Sequence, residues 1–202
     1  MDKANSILPR EAKVDRQTGE TKVDASIGID GTGESRIHTG IGFFDHMLTL
    51  FAKHGLFTLE VNAIGDLEVD CHHTVEDVGI VLGQALLQAA GDKAGIRRYG
   101  NSYVPMDEAL VLAVVDFSGR PYLAFEAELG LGRVGGFDVE MVEEFLRALA
   151  VNAGLTLHVR VLAGKNRHHI IEAIFKALGR AISAALEKDP RVQGIPSSKG
   201  SL

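Results

Sequence analysis

Along this chain the spacing of apolar residues switches between a period of two and a period near 3.6. Over residues 21–29, Val23, Ala25, Ile27 and Ile29 alternate with Lys22, Asp24 and Ser26, which predicts a half-buried strand closed by a turn at Asp30 and Gly31. Residues 43–53 carry helical spacing at Phe44, Met47, Leu48 and Phe51 and stop before Gly55. Alternation returns over 57–63, and 74–90 reads as a long helix with Gly91 at its exit. The second half repeats this order. Strands are predicted over 109–116 and 122–128 around a tight turn at 118–121, and the loop GLGRVGG leads into a helix over 139–150. A strand over 155–161 and a helix over 168–187 follow, before the polar tail. Each half thus reads roughly β-β-α-β-α, an internal duplication dividing into 1–95 and 96–202. The expected class is α+β, one compact unit of sheets with helices packed on one side.

Composition narrows the class of function. With 202 residues, 46% hydrophobic and 24% charged, the chain can bury a substantial core, and wholesale disorder is excluded. Its 27 acidic against 21 basic side chains give a net charge of −6, which argues against a protein held to nucleic acid by phosphate contacts. The single cysteine, Cys71, excludes an internal disulfide framework and suits a reducing cytosol. No apolar run reaches membrane-spanning length and residues 1–22 lack a signal-peptide core, so the expected location is cytoplasmic.

The histidines carry the chemistry. Of eight, four form two adjacent pairs, and the segments CHHTVEDVG and RHHIIEAIF place His-His-x-x-Glu at 72–76 and 168–172. On a helix either histidine shares a face with the glutamate, at i,i+3 or i,i+4. Neighbouring histidines point about 100° apart, so a pair serves two metal ions on either side of its helix more readily than one. Four imidazoles and two carboxylates, without thiolate, suit manganese, iron or zinc better than calcium. One copy alone reads equally well as polar residues at a helix N-terminus; two copies at duplicated positions favour ligands. The duplication adds His46, 26 residues before His72, and Glu144, 24 residues before His168. His158 falls on the polar face of its strand, and His38 and His54 read as structural or exposed. Cys71 reads as a small buried residue, because its repeat counterpart is Arg167.

These motifs resemble the imidazoleglycerol-phosphate dehydratase family over essentially the whole chain. The matching segments are RQTGET at 16–21, GIGFFDHML at 40–48, DCHHTVEDVG at 70–79, RRYG at 97–100, PMDEAL at 105–110, DFSGRPYL at 116–123, GKNRHHIIEAIFKALGRA at 164–181 and PSSKG at 196–200. The resemblance implies a duplicated α+β fold, two manganese ions per subunit, and a homo-oligomeric shell of 24 subunits with metal sites between them. It implies metal ligands at His46, His72, His73, Glu76, His168, His169 and Glu172, with Glu144 where many members have histidine. It implies that Arg98, Arg120, Ser198 and Lys199 hold the substrate phosphate, that Glu20 and Asp107 lie near the substrate, and that Lys176 lies near the reacting centre. Glu172, Glu20 and Lys176 are then the acid–base candidates. Two other functions remain open at this point: a two-metal phosphoester hydrolase, and a non-enzymatic metal-binding shell.

Overall fold

The computed structural model describes residues 9–202, so part of the segment read above as free of a leader core lies outside the described residues. The first half runs β1 (Glu11–Gln17), β2 (Thr21–Gly28), β3 (Ser35–His38), α1 (Gly42–Gly55), β4 (Thr58–Gly65) and α2 (His72–Ala90). The second runs β5 (Tyr99–Met106), β6 (Ala109–Asp116), β7 (Tyr122–Glu126), the short pair β8 (Arg133–Val134) and β9 (Phe137–Asp138), α3 (Met141–Ala153), β10 (Thr156–Ala163) and α4 (Arg167–Leu186). The sheets have orders β1-β2-β4-β3 and β5-β6-β10-β7, the same topology twice, and in each the outer pair β3–β4 or β7–β10 is parallel.

One expectation needs correction. The first half has three strands before its first helix, not two, and the second has three followed by a short pair, since the loop GLGRVGG contains β8 and leads into β9. Apart from that short pair, the strands that the pattern did not reveal, β1, β3 and β5, all lie at the edges of the two four-stranded sheets. Edge strands bury little: β3 has four residues with only Ile37 buried, and β5 carries Gly100 and Pro105 along with the exposed rings of Tyr99 and Tyr103. Alternation is therefore weak where one face packs thinly, and proline is tolerated because an edge strand has unpaired positions.

Each sheet buries one face on helices. In β2, Val23, Ala25 and Ile27 point inward; in β10, Leu157 and Val159 do. The helices of the two halves then pack on one another, α2 on α3 and α1 on α4. Glycines make these approaches close. A Cβ at Gly83 of α2 would stand 2.8 Å from the Leu149 carbonyl oxygen of α3, and one at Gly179 of α4 would stand 2.4 Å from that of Phe51 in α1. Gly83 and Gly179 occupy the same place after each His-His-x-x-Glu, eleven residues past its first histidine. Between the helices, Phe44, Phe137, Phe145 and Phe175 form one fully buried aromatic group drawn from both halves. No helix among the described residues is long and apolar enough to cross a membrane.

Candidate metal centre and active site

Both motif helices begin the same way. Asp70 accepts a hydrogen bond from the His72 backbone N–H at 2.7 Å, and Asn166 accepts one from His168 N–H at 2.9 Å. An Asx side chain two residues ahead of the motif thus occupies an orphan donor and fixes where the helix starts. The paired rings then diverge alike: His72 and His73 have centroids 6.1 Å apart at 82°, His168 and His169 6.2 Å at 81°.

The tightest donor cluster spans the α1–α4 packing. His46, His168 and Glu172 bring one ligand atom each within 4.8 Å of one another. Glu172 is buried, with Oε2 3.3 Å from His168 Nε2 and 3.8 Å from His46 Nε2. Its other oxygen, Oε1, lies 2.5 Å from Lys176 Nζ, itself 3.5 Å from the Met106 sulfur. Burial alone would raise the Glu172 pKa; the hydrogen bond and charge of Lys176, with His46 and His168, outweigh it and hold the carboxyl below its ordinary value. Phe43 packs edge-on against His168 at 5.2 Å. Two imidazoles and an ionised, buried carboxylate form a mixed nitrogen–oxygen set that fits a divalent transition ion.

The pseudo-equivalent residues His72, Glu76 and Glu144 lie on the packed helices α2 and α3, half-buried, but do not close into such a cluster. The second histidine of each motif instead meets carboxylates. His73 Nδ1 lies 3.0 Å from Asp66 Oδ2 and 3.8 Å from Glu20 Oε2. His169 Nδ1 lies 2.7 Å from Glu108 Oε2, and its Nε2 lies 3.8 Å from Asp107 Oδ2. These contacts raise both histidine pKa values, the hydrogen bond to Asp66 or Glu108 being the largest cause, and Glu108 is pulled down to about 2. Asp66 and Glu108 were not among the residues singled out from sequence. Glu108 had a signal: it directly precedes β6 as Glu20 directly precedes β2. Cys71 is buried beside Asp138, as expected of a structural thiol, and burial pushes its pKa up.

The basic residues gather elsewhere. Arg98 pairs with Asp116 at 2.7 Å, donates to the Pro196 carbonyl at 3.0 Å, and through its backbone N–H to Ala185 at the C-terminal end of α4. Asp116 is in register with Thr156, whose hydroxyl donates to the Arg120 carbonyl at 3.1 Å, so Arg98, Arg120 and the tail with Ser198 and Lys199 share one end of the second sheet. His168 stands at the other end of α4. Seventeen residues at 1.5 Å each put about 25 Å between the two groups within one chain.

A model of the imidazoleglycerol-phosphate dehydratase family matches residues 39–182. The chain belongs to the imidazoleglycerol-phosphate dehydratase family. It is 64% identical to the imidazoleglycerol-phosphate dehydratase of Acetivibrio thermocellus over 195 residues, covering 96% of this chain and all of that one. It is 64% identical to that of Thermoanaerobacter pseudethanolicus over 193 residues, with the same coverage. Among solved structures, the dehydratase of Staphylococcus aureus superposes with a TM-score of 0.80 at 48% identity, covering 89% of this chain and 99% of that chain. That of Pyrococcus furiosus in complex with (S)-C348 superposes with 0.80 at 38% identity, covering 94% and 100%. The activity is accordingly that of an imidazoleglycerol-phosphate dehydratase, a metal-dependent hydro-lyase of histidine biosynthesis acting on a small phosphorylated substrate.

Proposed function

We propose that the chain dehydrates imidazoleglycerol phosphate to imidazole-acetol phosphate in the cytoplasm with two manganese ions per subunit, at sites completed between subunits of a homo-oligomeric shell of 24 chains. The observation that carries the shared site is the distance of about 25 Å along α4 between the metal cluster and the basic group. A substrate with a ring at one end of a glycerol chain and a phosphate at the other cannot reach both in one chain. A second copy supplying its basic end resolves this, and gives the unclosed set His72, Glu76 and Glu144 a neighbour's ligands.

In this reading His46, His168 and Glu172 hold one ion, and His72, Glu76 and Glu144 the core of the other, with His73 and His169 facing across to neighbouring subunits. Bound metal would orient the substrate and stabilise the charge that develops as its hydroxyl leaves. The hydrogen to be removed sits on a carbon that no carbonyl acidifies, so a positioned base is required. Glu20 is exposed, and its nearest ion-pair partner is His73 at 3.8 Å, which leaves it available as that base. Lys176 keeps Glu172 ionised and stands ready to donate a proton to the departing oxygen. Asp107 borders the substrate near His169. Arg120 and Lys199 supply charge to the phosphate, with Ser198 alongside, while Arg98 anchors the tail through Pro196.

The test is incubation of metal-stripped protein with imidazoleglycerol phosphate and added manganese. A keto product that requires the metal supports the reading; release of inorganic phosphate would point to a phosphoester hydrolase instead.

A further inference from the structure

Glu108 makes contacts that the reaction described above does not use. One oxygen, Oε1, accepts the backbone N–H groups of Lys165 and Asn166 at 3.1 and 2.8 Å, pinning the carboxylate to the loop that leads into α4. The other, Oε2, faces His169 Nδ1 at 2.7 Å. An ionised carboxylate only accepts hydrogen bonds, so Nδ1 must carry the hydrogen. In the neutral ring the lone pair then lies on Nε2, the nitrogen directed away from Glu108. His73 repeats the arrangement in the other half, with Nδ1 3.2 and 3.0 Å from the two oxygens of Asp66. The partners come from different places, Asp66 after β4 and Glu108 before β6, so the shared contact is not a mere copy left by duplication.

We infer that Glu108 is a positioning residue of the metal centre, fixing the tautomer and ring orientation of His169 so that Nε2 is presented as a ligand, with Asp66 doing the same for His73. The inference rests on the metal reading of the His-His-x-x-Glu motifs. A ligating histidine held through its other nitrogen has both its rotation and its tautomer settled before the ion arrives, and losing such a partner typically lowers metal affinity 10- to 100-fold.

E108Q separates positioning from a structural role. Its amide oxygen still accepts the Lys165 and Asn166 N–H groups, but its NH2 faces Nδ1 and donates to it. That drives the imidazole hydrogen onto Nε2 and blocks the ligand atom. The experiment titrates manganese into metal-free wild type, E108Q and D66A, following free Mn2+ by electron paramagnetic resonance, alongside thermal melting of each metal-free protein. The expected result, at a pH where His169 is neutral, is a metal-free E108Q that melts near wild type yet binds one class of manganese about 10- to 100-fold more weakly. Manganese affinity equal to wild type in E108Q would overturn the inference while leaving the metal reading standing. Failure of wild type itself to bind manganese would overturn both. If E108Q does not fold, D66A, which leaves no Asp66 oxygen for His73 Nδ1 to donate to, decides: weakened binding supports the inference and unchanged binding overturns it.

Discussion

Lys176 and Glu172 stand one helical turn apart on α4 with Nζ 2.5 Å from Oε1, which leaves Oε2 turned toward His168 and His46. One carboxylate thus faces an ammonium group on one side and a pair of candidate ligands on the other. K176M removes the cation, so burial acts on Glu172 with less opposition and its pKa rises. The acidic limb of the kcat/KM profile of K176M should move to higher pH, and kcat should fall about 10²- to 10⁴-fold if Lys176 delivers a proton. An acidic limb unmoved from wild type would refute this role.

The second histidines predict opposite pH effects on folding and on metal binding. Their pKa values are raised, so in metal-free protein the charged pairs His169–Glu108 and His73–Asp66 contribute stability that is full below about pH 6.5 and is lost as pH rises through the raised values. Metal needs the neutral ring, so manganese affinity should weaken with acidification beginning above pH 6.5. Manganese titrations and melting curves between pH 5.5 and 8.5 would check both directions.

Arg120 lies at the end of the second sheet remote from the metal cluster, and its loss should act mainly on KM. R120A should weaken transition-state binding by about 1.5–3 kcal/mol, read from kcat/KM, if one set of charged hydrogen bonds to phosphate is lost.

Mixing variants tests the shared site. E172Q lacks the metal carboxylate and R120A the phosphate arginine, and at substrate well below KM each alone should be severely impaired. Dissociated and reassembled together at equal amounts, they should recover about a quarter of wild-type activity, the share of sites drawing both intact residues from different chains. Activity no greater than that of the separate variants would place both residues in one subunit's site.

The helix packing gives a prediction apart from catalysis. G179A places a Cβ 2.4 Å from the Phe51 carbonyl oxygen, and G83A places one 2.8 Å from that of Leu149. Backbone cannot move aside as a flexible side chain would, so each should cost about 1–3 kcal/mol in thermal or denaturant unfolding.

Much of this molecule is written locally. Alternation and helical spacing determine the buried strands β2, β4, β6 and β10 and all four helices, because each buries a full face and must place apolar residues at the matching period. The two His-His-x-x-Glu motifs and their duplication also lie within short stretches of chain, as does the i,i+4 pairing of Glu172 with Lys176. Three edge strands escaped, since a strand with one thinly covered face has little alternation to show. Tertiary structure alone decided which motif helix meets which partner: α4 packs on α1, so His46 joins His168 and Glu172 across about 120 residues of sequence. It also decided that Glu108 and Asp66 hold the second histidines, and that Arg98 faces Asp116 and the tail at the far end of α4. Those relations depend on how sheets and helices stack, which periodicity does not encode: a period fixes the face a residue lies on, while packing fixes what that face meets.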